Sequence, residues 1–163
     1  QKNQILLLNA FSKIIKKKNN LFLYIVGEGE KKKQLQKIIK LKKLEKNVFL
    51  LGYVENIFPL IKNSLAVVST SLWEDPGAVM VEAAFCGKIV ISSNCPNGPE
   101  EFLENEKGGY LFKNNDINDL ENKINSFLND NQQIKFKKRV ILKKNSKKYS
   151  LFCHYQKLNK ILI

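Results

Sequence analysis

Arginine is all but missing from this sequence: Arg139 stands alone among 28 basic residues, and the others are lysines. Base-edge readout in a nucleic-acid groove leans on the flat, two-pronged guanidinium, which a lysine ammonium does not imitate, so sequence-specific nucleic-acid binding is not expected. Cysteine is scarce as well. Cys86, Cys95 and Cys153 are odd in number, widely spaced and free of any CxxC pairing, so neither a disulfide framework nor a zinc site is indicated. Each reads as a small buried residue. No run approaches the roughly 18 apolar residues of a membrane span, and the opening QKNQILLLNAF lacks the basic, apolar, small-residue order of a signal peptide. A cytosolic chain is expected. There is no Walker sequence and no Asp-x-Asp pair for a metal-held diphosphate, and VGEGEKK places Lys32 where the third glycine of a dinucleotide fingerprint belongs. A nucleophilic pairing of Cys95 with His154, the single histidine, is disfavoured because one histidine in a C-terminal helix is more often structural.

What is present is enough to build a domain. The chain has 163 residues, 44% of them hydrophobic, the usual size of one domain with a sizeable core. Its formal charge of +13 has two readings: a compositional bias toward lysine spread over solvated faces, or attraction to an anionic membrane surface or another acidic partner.

The hydrophobic pattern alternates between two periods. Apolar residues at positions 5, 8, 11, 14 and 15 predict an amphipathic helix over Asn3 to Lys17. LFLYIV (Leu21 to Val26) reads as a strand ended by the glycines of GEGE, and Glu30 to Lys43 as a helix. Further strands are expected at Val48 to Leu51, Leu65 to Ser69, Lys88 to Ser92 and Gly109 to Phe112, with helices near Asn56 to Lys62 and Ala78 to Cys86. Long helices follow, over Asp116 to Asp130 with an Asp cap, about Gln132 to Ser150, and Leu151 to Ile163.

Strands that alternate with helices and are apolar on both faces predict an α/β fold: a doubly wound, Rossmann-like parallel sheet covered on two sides. Ligands then sit beyond the carboxyl ends of the strands, where this chain carries GEGE, GYVEN, STSLWEDPG and SSNCPNGP. A doubly wound unit starts with a strand that lies centrally in the 3-2-1-4-5-6 order. Here the first element is a helix, so the sheet is expected to lack that first, central strand, with two neighbours facing an open gap.

The segment STSLWEDPGAVMVEAAFCGKIVISS carries the chemistry. If a helix begins near Gly77, the free backbone N–H groups of Gly77, Ala78 and Val79 form an anion site suited to phosphate. Glu82, a turn further on, is placed to accept hydrogen bonds from vicinal ribose hydroxyls. Glu74, before the turn, reaches the other end of such a ligand. A nucleoside diphosphate joined to a sugar has that shape. On spacing alone, Glu74 reads equally as a solvent-exposed loop charge.

The same segment, with KNQILLLNAF, LFLYIVGEGEKKKQLQ, VFLLGYVENIFPLIKNSLAVVSTS and GGYLFKNNDINDLENKI in order around it, resembles retaining glycosyltransferases of family 4, also called glycosyl transferases group 1. The resemblance covers nearly all of the chain. It implies the C-terminal, donor-binding half of a GT-B enzyme, in which an N-terminal acceptor domain lies outside this chain. It implies that Glu82 holds the ribose, that Glu74 contacts the transferred sugar, and that Lys2 neutralises the diphosphate. The amides of Gly77, Ala78 and Val79 then meet the diphosphate or sugar, Gly27 allows close approach of the nucleotide, and Tyr53 and Val54 wall the base. No cofactor and no metal are implied, the nucleotide sugar being a substrate. The helix Leu151 to Ile163 resembles the family's terminal helix, which crosses to the N-terminal domain. Asp75-Pro76 stands where the family has Gly-Phe, so the loop around the sugar is expected to differ, and Lys88-Ile89 replaces a proline-containing turn. CPNGPEEF resembles the variant of members that build surface polysaccharides or glycans from UDP-linked N-acetylated hexosamines. The rival readings are a basic, non-catalytic module that docks on anionic lipid or RNA, which requires its lysines on one face, and a GT-B nucleotide-sugar epimerase, which the spacing around Glu74 disfavours.

Overall fold

The structure is a computed structural model that describes residues 1–74 and 77–162. The elements run α1 (Gln4–Ile14), β1 (Leu23–Val26), α2 (Lys32–Leu41), β2 (Val48–Gly52), α3 (Phe58–Asn63), β3 (Ala66–Ser69) and α4 (Ala78–Phe85). They continue through β4 (Ile89–Asn94), α5 (Pro99–Phe102), β5 (Tyr110–Lys113), α6 (Ile117–Asn129) and α7 (Gln132–Ser146) to a 3-10 turn (Lys147–Tyr149) and α8 (Leu151–Leu162). All strand pairs are parallel: β1 with β2, β3 with β4, and β4 with β5. Parallel neighbours need a crossover rather than a hairpin, and the intervening helices supply it.

The sheet falls into two pieces, β1–β2 and β3–β4–β5. In the 3-2-1-4-5-6 order β1 and β2 answer to strands 2 and 3, and β3 to β5 to strands 4 to 6. The split therefore falls where the first strand of that order belongs. Helix α1 holds the pieces together. Its Leu6, Leu7, Ala10 and Ile14 pack with Ile89 and Ile91 of β4, Phe112 of β5 and Leu120, Ile124 and Phe127 of α6, while Leu23 of β1 and Val68 of β3 lie against the same cluster. Its Leu8 and Phe11 pack instead with Leu35 and Ile39 of α2 and Val48 of β2.

Strand periodicity sorts the core into two layers. Along β4 successive side chains point to opposite faces, so Ile89 and Ile91 enter the α1–α6 cluster and Val90 enters a second one with Ile61, Met80, Ala83, Ala84, Phe102, Leu103, Leu111 and Leu142. This is why KIVIS is apolar throughout. Asp116 caps α6 as its sequence position predicts, its carboxylate accepting from the N–H groups of Asn118 and Asp119 at 2.9 and 3.0 Å.

Four expectations are corrected. The β1–β2 piece is covered on one side only: Phe22, Tyr24, Phe49 and Leu51 are exposed. The helix after Gln132 turns at Ser146 into the 3-10 segment instead of running to Ser150, because Asn145 and Ser146 are buried there and Asn145 donates to the Phe102 carbonyl at 3.0 Å. CPNGPEEF contains a short helix, α5, started by Pro99 at its first position. Cys95 is buried, but Cys86 and Cys153 are only half-buried.

Phe112, fully buried at the centre of the α1–α6 cluster, offers a direct check on this packing. Phe112→Ala is expected to lower the unfolding free energy by about 3–5 kcal/mol, read from urea denaturation.

Candidate active site

The carboxyl ends of β3 and β4 carry two serine-rich runs, Ser69-Thr70-Ser71 and Ser92-Ser93. Because these strands pair in register, Ser69 opposite Ser92, the runs lie side by side. They build a polar nest around Glu74, which is only 4% exposed. Lys2 donates from its ammonium to both carboxylate oxygens at 2.9 and 3.1 Å. Ser71 donates to Oε1 at 2.5 Å and Ser69 to the same oxygen at 3.5 Å. Ser93, fully buried, donates to the Ser71 carbonyl at 2.5 Å and so fixes the loop that carries Ser71.

A buried carboxylate is tolerated when it is paired and hydrogen-bonded. Burial pushes the Glu74 carboxyl up, but the hydrogen bonds from Lys2 and Ser71, the Lys2 charge and Ser69 outweigh it and hold the group below its ordinary range. Glu74 is therefore ionised at neutral pH. The exposed-loop alternative for this residue is ruled out by its burial.

Lys2 is held in place by backbone. Thr70 donates its hydroxyl to the carbonyls of Lys2 and Asn3 at 2.9 and 3.2 Å, and the Leu72 N–H donates to the Gln1 carbonyl at 2.9 Å. Asn114, after β5, donates to the Leu72 carbonyl at 2.9 Å. Half of the Lys2 side chain stays exposed. An ammonium has three N–H donors, and two are engaged by Glu74.

Gly77 is the N-cap of α4, in the left-handed conformation at φ 76°. A Cβ there would meet the flexible end of buried Met80 and would lie 3.6 Å from the Cβ and Cγ of Glu74, an ordinary contact, so glycine is favoured chiefly by the left-handed conformation. The amides of Gly77, Ala78 and Val79 lie at the helix start, where N–H groups have no intrahelical partner. Buried Met80, Ala83 and Ala84 hold α4 against the core, and Glu82, half-buried, lies off that stripe.

Gly27, Tyr53 and Val54 occupy the same edge of the sheet at the carboxyl ends of β1 and β2. The Gly27 N–H donates to the Gly52 carbonyl at 2.7 Å, Gly27 has a φ of 110°, and Tyr53 is 75% exposed. Thus the structure joins Lys2 and Glu74 directly, and strand polarity sets the other residues along one rim. Among the described residues no hydrogen bond ties Glu82, Tyr53 or Val54 to Glu74, and no three His, Cys, Asp or Glu side chains gather as a metal site. Asp75-Pro76 and the side chain of His154 lie outside the described residues. Sequence reasoning missed Ser69, Thr70, Ser71, Ser93 and Asn114, whose only signal is hydroxyl and amide residues at the ends of adjacent parallel strands.

A doubly wound domain with a polar nest and a glycine-started helix at its carboxyl edge belongs to the nucleotide-binding α/β class. The comparison with known proteins supplies the family: the model for glycosyl transferases group 1 matches residues 1–149, and the chain belongs to that family. The chain is 38% identical over 125 residues to the poly(ribitol-phosphate) alpha-N-acetylglucosaminyltransferase of Staphylococcus aureus, a match that covers 77% of this chain and 25% of that relative. A TarM mutant of S. aureus, solved in complex with Fondaparinux, alpha-GlcNAc-glycerol and UDP, superposes with a TM-score of 0.88 at 34% identity, covering 98% of this chain and 32% of that one. HepE of Anabaena in complex with UDP superposes with a TM-score of 0.87 at 26% identity, covering 99% of this chain and 45% of that one. The fold is that of the C-terminal domain of a GT-B glycosyltransferase. The chain spans only a quarter to under a half of these relatives.

Two consequences of the Glu74 nest are measurable. Ser71→Ala removes a donor from a buried carboxylate, and a loss of about 1–3 kcal/mol in unfolding free energy is expected. Because the folded carboxyl titrates below its unfolded value of 4.5, its contribution is complete above that value and is lost as pH falls through the lower folded one. Glu74→Gln is expected to flatten the acid limb of a stability-versus-pH curve.

Proposed function

We propose that this chain is the donor-binding half of a retaining glycosyltransferase. It transfers a hexosyl or N-acetylhexosaminyl group from a UDP-sugar to a glycan or lipid-linked acceptor in surface polysaccharide or glycan synthesis. The observation that carries this reading is the pairing of half-exposed Lys2 with buried Glu74, just before the start of α4. The family and the UDP in the TarM and HepE structures support the donor class. The alpha linkage in the name of the S. aureus relative supports retention, since UDP-hexoses are themselves alpha-linked. Such donors are made inside the cell, so the reading assigns a cytoplasmic site of action. No described helix is long and apolar enough to cross a membrane.

In this reading the bond between the anomeric carbon and the diphosphate oxygen breaks, and negative charge grows on the departing diphosphate. The third N–H of Lys2 and the amides of Gly77, Ala78 and Val79 receive that charge. No metal is assigned to the task. Glu74 orients Lys2 and contacts the transferred sugar, its ionised state fixed by the serines. Glu82 accepts from the ribose hydroxyls, and Gly27, Tyr53 and Val54 border the base. Helix α8, whose Leu151, Phe152, Tyr155 and Ile161 are exposed, crosses to the N-terminal domain that brings the acceptor.

Calorimetric titration with UDP and UDP-N-acetylhexosamines is expected to show saturable binding that Glu82→Ala weakens roughly ten- to a hundredfold, the worth of hydrogen bonds to a charged group. Absence of binding to a demonstrably folded sample would overturn the assignment. The isolated chain is expected to give no transferase turnover, because the acceptor is brought by the other domain; measurable transfer would contradict that division of labour.

A further inference from the structure

The face of β1–β2 turned away from α1 and α2 has no cover among the described residues. Alternation along the strands sends Phe22 and Tyr24 to this face, together with Phe49 and Leu51 of β2, and their exposures run from 37% to 58%. The rings form one patch: Tyr24 stacks on Phe49 with centroids 5.3 Å apart, and Phe22 lies 6.4 Å from Phe49. An aromatic patch of this kind on a charged protein marks an interaction surface.

The charge of the chain is concentrated in the same lobe. Residues 13–62, which run from the end of α1 through β1, α2 and β2 into α3, carry thirteen lysines against four glutamates, a net +9 of the chain's +13. Exposed Lys16 and Lys17 sit in the loop that enters β1, and exposed Lys42, Lys43 and Lys46 in the loop that enters β2. Asn47 stitches these loops together, its side-chain N–H groups donating to the carbonyls of Asn19 and Leu21 at 3.2 and 2.8 Å. The lysines therefore share one edge of the lobe, at the end where Phe22 begins the aromatic face.

We propose that this lobe docks on an anionic lipid bilayer. Tyr24, an exposed ring with a polar end, is suited to headgroup depth, and Phe22 and Phe49 beside it add apolar surface. Lysine ammonium groups act as point charges toward lipid phosphates, each worth about 1 kcal/mol near an anionic surface. The lobe offers no arginine for two-pronged recognition of a defined partner. The lysine edge lies at the amino ends of the strands, opposite the rim of Gly27, Tyr53 and Glu74, so docking leaves that rim free. The proposal is independent of the donor reading.

Co-sedimentation of the 163-residue chain with phosphatidylcholine vesicles, with and without phosphatidylglycerol, tests it. Binding is expected only with phosphatidylglycerol and to weaken as salt rises. The triple change Lys17→Gln, Lys43→Gln, Lys46→Gln is expected to weaken it about a hundredfold at about 1 kcal/mol per lysine. The charge-matched Lys143→Gln, Lys144→Gln, Lys147→Gln, on α7 and the 3-10 turn, is expected to have little effect. Tyr24→Ser with Phe49→Ser is expected to weaken binding severalfold, with circular dichroism and thermal unfolding unchanged. No binding to phosphatidylglycerol vesicles overturns the proposal. So do equal losses from the two lysine triples, an unaffected aromatic variant, a dimer that Phe49→Ser dissociates in place of lipid binding, or capture of a short RNA in preference to vesicles.

Discussion

A carboxylate buried to within a few per cent of full enclosure is the constraint on which the rest of this molecule depends. Left alone, the charge of Glu74 would be costly in a medium that solvates ions poorly. Every neighbouring feature answers that cost. Lys2 supplies the countercharge, Ser71 and Ser69 supply donors, and Ser93 holds Ser71. Lys2 in turn is placed by bonds from Thr70 and Leu72 to the backbone of residues 1–3, so the segment before α1 and the loop after β3 are fixed by one another. The same loop leads through Gly77 into α4, whose first amides have no intrahelical partner. The structural requirement and the proposed chemistry thus coincide, since in the proposed reading the half-exposed ammonium and the helix start receive the charge of the diphosphate.

The division of the sheet shows a second dependence. Two strand pieces without a shared hydrogen-bond ladder are joined through the side chains of α1, which reach β1 and β2 on one hand and β4, β5 and α6 on the other. The proposed donor rim is distributed over both pieces, with Gly27 and Tyr53 on one and Glu74, Gly77 and Glu82 on the other. Whatever positions the pieces relative to each other positions the two ends of the site.

Much of this was legible in the sequence for physical reasons. Strands β3 to β5 are covered on both faces, and buried strands read as continuous apolar runs. Helix α6 buries one stripe, and Asp116 announces its start. The Glu74–Glu82 segment was legible because its glycine, small residues and flanking strand sit in one stretch. Other features were not legible, because they depend on what lies across space. Phe22, Tyr24 and Phe49 look in sequence like residues of a buried strand, and they are surface because no helix among the described residues covers them. Ser71 and Ser93 read as loop residues until the pairing of β3 with β4 brings them together. Pro99 reads as a turn signal, though proline is equally at home at the first position of a helix.

The assignment of the donor edge rests on the amides at the start of α4 and on the rim across from them. The most direct measurement is amide chemical-shift mapping by nuclear magnetic resonance as UDP is added. Shifts at Gly77, Ala78, Val79, Gly27 and Tyr53, with the lysine-rich loops before β1 and β2 unchanged, are the predicted result. Shifts confined to those loops, with the α4 amides unmoved, would contradict it.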